Sequence, residues 1–198
     1  VDAFRFVIDE CYFVNCLDFK DGYLIKIDST TSSYIKKPIV VSNCVFQFDA
    51  INKACSAFYV NHSIKEVYIQ KSSFINCIMT NDNLPSANSI CALNLRKLVV
   101  SECSFDHCGN EFGSKSGSVI GINGDTDIFI ENCTFNSTST AISSCTNNVS
   151  VIGNAFANVG QNVIQINHDF GTRGFELIEN KFAGCIEGTI MSARISHE

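Results

Sequence analysis

The chain has 198 residues, 45% of them hydrophobic and only 17% charged, which excludes a disordered tail and fits one domain or a short repeat array. A formal net charge of −6 gives non-specific nucleic-acid binding little electrostatic support, so no nucleic-acid partner is expected. No apolar run approaches the roughly 18 residues that span a membrane, and no signal peptide opens the chain; the start at Val1 reads as a piece of a longer polypeptide, whose flanking parts are expected partners.

Taken along the chain, the elements repeat. The first unit is anchored on Phe13, with Cys11 two residues before it, Ile8 five before and Phe6 seven before. Later anchors follow at Phe46, Phe74, Phe105, Phe135, Phe156 and Phe182. Val41, Ile69, Val100, Ile130, Val151 and Leu177 stand five before them; Ile39, Val67, Leu98, Ile128, Val149 and Phe175 stand seven before. The position two before is small or polar: Cys44, Ser72, Cys103, Cys133, Asn154 and Asn180. The two earlier positions have the period of a strand, which sends alternate side chains to one face. The small residue and the Phe repeat that period after a bend.

A second apolar run closes most units: Leu24-Ile25, Ala57-Phe58, Ile90 to Leu95, Val119-Ile120, Ala141-Ile142, Val163 to Ile166, and Thr189 to Met191. Each unit reads as strand, bend, strand, turn, strand. Strands this short bury no face alone, but stacked about 4.8 Å apart they form inward ladders and a continuous core. The expectation is an all-β chain: a right-handed parallel β-helix (solenoid) of about seven coils, in one domain over residues 1–198. Insertions are expected in turns, chiefly Lys20 to Lys36 and Met79 to Asn88.

Eleven cysteines invite a metal or catalytic reading. Cys11, Cys44, Cys103 and Cys133 share the column two before the anchor; Cys16, Cys77, Cys108 and Cys185 share the column three after it. Small residues filling a ladder at a bend are expected there, and free Cys serves as a small hydrophobe. Disulfides between neighbouring coils are the alternative, against which parallel Cβ vectors would strain the bond. A zinc site needs four ligands converging on a point, whereas a ladder spreads them along an axis, so no metal or other cofactor is expected. His107, in Cys103-Ser-Phe-Asp-His107-Cys108, falls where Asn15, Asn76 and Asn158 stand in other units and reads as a turn substitute. His62, His168 and His197 have no triad-like company.

Catalytic carboxylates are a natural candidate because many β-helices cleave acidic polysaccharides. Glycoside hydrolysis needs two carboxyls across the scissile bond. The nearest set is Asp125 and Asp127, with Arg96, Asp169 and Arg173 on other coils. Asp125 and Asp127 read first as turn residues, and an enzyme is not expected.

Two outward columns carry more information. Six before the anchor stand Val7, Val40, Tyr68, Val99 and Phe129, then Ser150 and Glu176. Five stacked apolar side chains would make an exposed stripe of the kind that marks contact surfaces; the bland alternative is that such residues simply suit strands. Nine before stand Lys37, Lys65 and Arg96, with Lys36 and Lys97 beside them. This basic ladder suits an acidic glycan or protein ligand, unless its members are only solvated turn residues. Four sequons, at Asn61, Asn132, Asn136 and Asn148, are compatible with N-glycosylation of a secreted protein.

The coils resemble the parallel β-helix repeat of pectate-lyase-like proteins. Ser73-Phe-Ile-Asn-Cys77 and Cys11-Tyr-Phe-Val-Asn-Cys16 further resemble the Phe-x-x-Asn units of polymorphic outer-membrane-type surface proteins. Here the Asn lies two rather than three residues after Phe, and the Gly-Gly-Ala-Ile companion is loosely matched only by Gly117-Ser-Val-Ile120 and Gly188-Thr-Ile-Met191. The resemblance implies a cell-surface or secreted adhesin. An intracellular repeat protein laid along a filament, with its thiols reduced, is the rival, and a polysaccharide lyase or hydrolase is a third reading.

Overall fold

The computed structural model describes residues 6–15, 23–28, 37–49, 56–61, 66–79, 88–110, 118–124, 126–145, 148–167, 174–185 and 190–193. Every regular element among them is a β-strand, and every strand pair is parallel. The chain visits three sheets in strict rotation, each with seven strands among the described residues.

The first sheet stacks Phe6–Asp9, Ile39–Ser42, Glu66–Gln70, Lys97–Ser101, Asp127–Glu131, Asn148–Ile152 and Gly174–Ile178. The second stacks the three-residue strands centred on the anchor phenylalanines, from Tyr12–Val14 to Lys181–Ala183. The third stacks Tyr23–Asp28, Ser56–Asn61, Asn88–Leu93, Ser118–Asn123, Ile142–Cys145, Ile164–Asn167 and Ile190–Ala193. The solenoid inferred from the repeat is therefore the observed architecture. The stretch from Lys20 to Lys36, expected as a turn insertion, contributes a six-residue strand to the third sheet at Tyr23–Asp28. A short extra pair joins Ile78–Met79 to Gly109–Asn110.

The register is that of the repeat. Phe46 pairs with Phe74, Phe105 with Phe135 and Phe135 with Phe156, each one winding from the next. Their rings and those of Phe13 and Phe182 form one continuous stack, with centroids 4.8 to 5.3 Å apart and planes within 13° of parallel. The winding pitch imposes that spacing, which also falls within the range favoured by aromatic pairs. Ile39, Val67, Leu98 and Ile128 in the column seven before the anchor are fully buried, as are Ile69, Val100 and Ile130 five before it. Burial fails only at the end windings, where Phe6 is 42% and Phe182 42% exposed against 0% for Phe74.

One bend closes each strand of the first sheet, and a second closes most strands of the second sheet. The residue three before the anchor takes a positive φ at Glu10, Asn43, Lys71, Glu102, Asn132, Gly153 and Glu179, between 49° and 66°. The residue two after it does so at Asn15, Asn76, His107, Ser137, Asn158 and Gly184. This left-handed conformation costs an ordinary residue about 1–2 kcal/mol. It is held because it aims each N–H at the next winding: Lys71 N–H donates to Ser101 O, Glu102 to Glu131 O and Asn132 to Ile152 O, each at 3.0 Å.

Candidate binding surface

The outward face of the first sheet carries the predicted stripe. Val7 pairs with Val40, Val40 with Tyr68, Tyr68 with Val99 and Val99 with Phe129, so five apolar side chains stand one above another. Each alternates with inward-facing neighbours, as in Lys97–Ser101, where Leu98 and Val100 point inward and Val99 outward. Val7 is 44% exposed and the other four are half-buried. The stripe ends where Ser150 replaces the apolar residue, its hydroxyl donating to Glu176 at 3.3 Å.

The flanking charges are placed less simply than the spacing suggested. Lys37 and Arg96 are exposed at the edge of the sheet, while Lys65 and Lys36 lie outside the described residues. Lys97 reaches over the stripe itself. Its Nζ sits 5.8 Å from the Tyr68 ring centre and 4.8 Å from that of Phe129, on the windings either side of its own. Such cation–π contacts are worth about 0.5–1 kcal/mol each at exposed sites. The Tyr68 hydroxyl donates to Glu66 at 3.0 Å, and burial first, then this carboxylate, raises its pKa above the ordinary phenol value. In the sequence Lys97 reads only as a companion of the basic ladder, because its reach across windings depends on pairing register and not on local spacing.

The thiols are structural. Cys103 and Cys133 are buried, and each sulfur lies within hydrogen-bonding distance of two carbonyl oxygens: Val100 O at 3.5 Å and Glu131 O at 3.4 Å for Cys133, Ile69 O at 3.5 Å and Ser101 O at 3.3 Å for Cys103. In the column three after the anchor, Cys108 donates to Phe74 O at 3.3 Å and Cys77 to Phe46 O at 3.8 Å. Asn154 takes the same post as Cys133 with better geometry: its Nδ2 donates to Ile130 O at 2.9 Å and its Oδ1 accepts from Cys133 N–H at 2.8 Å. Eight described cysteines are free thiols, and no group of three or more potential metal ligands occurs among the described residues. Cys16 lies outside the described residues.

His107 occupies its bend position with φ 51°, its Nδ1 3.1 Å from Asp106 Oδ1, both side chains well exposed. Asp127 accepts a 2.6 Å hydrogen bond from Asn148 Nδ2, a contact between windings. Asp125, Asp169, Arg173, His62, His168 and His197 lie outside the described residues.

No family model, no curated protein and no solved structure matches the chain. What is shown is a parallel β-solenoid. Among the described residues no helix is long and apolar enough to cross a membrane.

Proposed function

We propose that this chain is a non-catalytic solenoid segment that presents the outward face of its first sheet to a protein or glycan ligand, as part of a cell-surface or secreted, adhesin-like protein. The observation that carries the reading is the in-register stripe Val7, Val40, Tyr68, Val99 and Phe129. One face of that sheet is the core; the other needs no apolar residues for folding, yet it aligns five. A contiguous, partly exposed apolar column of this kind is a feature of contact sites. Lys97 across the rings, with Lys37 and Arg96 at the edge and Lys65 in the same sequence column, adds a cationic component suited to an acidic ligand. The likeness to polymorphic outer-membrane-type repeats supports the surface location, and the pectate-lyase-like likeness supports the coil alone.

The test is binding of the labelled protein to intact cells, compared with the paired variant Tyr68→Ala, Val99→Asp. Both residues point outward, so far-UV circular dichroism is expected to be unchanged while binding falls at least tenfold. Undiminished binding by the folded variant removes the stripe as the contact surface.

A second reading, an intracellular repeat protein along a filament, is favoured by the free thiols. The burial and carbonyl partners of those thiols weaken that inference, because shielded sulfur survives in oxidising compartments as well.

A further inference from the structure

The four sequons are not equivalent once the chain is folded. N-glycosylation replaces one of the two protons on an Asn Nδ2 with a sugar, so the fold tolerates it best where that nitrogen meets solvent and binds nothing. Asn136 donates from its Nδ2 to Asp106 Oδ1 at 2.8 Å, and its Oδ1 accepts from Asn158 at 3.3 Å. Asn148 donates from its Nδ2 to Asp127 at 2.6 Å and is half-buried. Asn61 buries its Oδ1 without a partner among the described residues. Asn132 is exposed, as Asn136 is, and stands at a bend with φ 54°; unlike those of Asn136 and Asn148, its Nδ2 makes no hydrogen bond among the described residues. Its Oδ1 packs over Gly153 of the next winding, so close that a Cβ there would come within 2.6 Å. Thr134, which completes the triplet, is exposed on the outward face of the second sheet.

We infer that Asn132 is the sequon at which this fold takes an N-linked glycan. The donor is a polyprenyl-diphosphate-linked oligosaccharide. Asn132 Nδ2 bonds to the first sugar carbon, the bond from that carbon to the diphosphate oxygen breaks, the polyprenyl diphosphate leaves with the electron pair, and one Nδ2 proton passes to the transferase. The sugar then stands at the corner between the first and second sheets, three residues from Phe129. It would border the far end of the stripe and leave the Val7-to-Val99 end open to a partner. This rests on the secretory reading proposed above, and two sources of protein separate the two ideas.

The chain is secreted from a eukaryotic host behind an added leader, and the glycopeptides are mapped by mass after enzymatic deglycosylation. Asn132 is expected to be the most fully occupied site. The single-glycan mobility shift is expected to vanish in Asn132→Gln and in Thr134→Ala and to persist in Asn136→Gln; Thr134→Ala keeps the bend residue, so it stands if Asn132→Gln folds poorly. A bare Asn132, or occupancy concentrated at Asn136 or Asn148, overturns the assignment. Glycan on Asn132 in protein from the natural source supports both ideas. A bare chain there, with Asn132 occupied in the host, overturns the secretory reading and keeps the choice of site.

Discussion

Asn154 Oδ1 accepts a 2.8 Å hydrogen bond from the backbone N–H of Cys133, one winding earlier. Its Nδ2 simultaneously satisfies Ile130 O at 2.9 Å, and the Asn154 N–H is met in turn by Asn180 Oδ1 at 3.0 Å. Stranding a buried polar group costs about 1–3 kcal/mol. Asn154→Leu strands two, so a loss of about 2–6 kcal/mol is expected in urea unfolding, with the solenoid spectrum retained if it folds. Cys133→Ser, which keeps a small donor at a ladder post, is expected to stay within about 1.5 kcal/mol of the parent.

The ring stack sets a gradient of sensitivity. Phe105 is 1% exposed between Phe74 and Phe135. Phe105→Ala is expected to cost about 3–5 kcal/mol. Phe182→Ala, at an end where the ring is 42% exposed, is expected to cost less than half as much in the same measurement.

Gly153 combines a φ of +66° with the close approach of Asn132 Oδ1. Gly153→Ala therefore meets backbone strain of about 1–2 kcal/mol, besides displacing the carboxamide. Its midpoint in thermal unfolding is expected to fall by several degrees. Ala157→Gly, at the end of a strand in the second sheet, is expected to shift it by a smaller amount.

The buried thiols make alkaline stability a direct readout. The Cys133 thiol is pushed well above its ordinary value, first by its hydrogen bond with Cys103 and then by burial; burial likewise raises Cys44. In the unfolded chain these groups titrate at about 8.5. Below that pH both states are protonated and the stabilisation is complete. As pH rises from there toward the raised folded values, only the unfolded chain loses its protons, so stability falls. Alkylation in native buffer is expected to label Cys11 and Cys185, which are half-buried, well before Cys103 or Cys133. Equal labelling rates would show that the ladder opens locally.

The core columns were legible because an inward ladder imposes one chemistry on every winding: no position tolerates anything but a large apolar residue where Leu98 or Phe105 stands. The left-handed bend was not legible. Glu10, Lys71, Asn132 and Gly153 share it, and their side chains have nothing in common, because hydrogen bonds between windings hold the backbone there. The stripe was legible as a column, yet the reach of Lys97 over Tyr68 and Phe129 required the pairing of three strands. The stacking of Asn132, Asn148 and Asn158 carboxamides over Gly153, Gly174 and Gly184 went unseen for the same reason: the partners lie one winding apart at distances along the chain that vary with each insertion.

Because each winding touches only those before and after it, load applied at the two ends would pass through every Phe pair in series. Of the described windings, those at Phe6 and Phe182 hold their rings least, each 42% exposed, so in this 198-residue chain pulled by itself they would be the first to unreel. Extension under force would then rise in steps of one winding, with the stretch around Phe74 and Phe105 the last to yield.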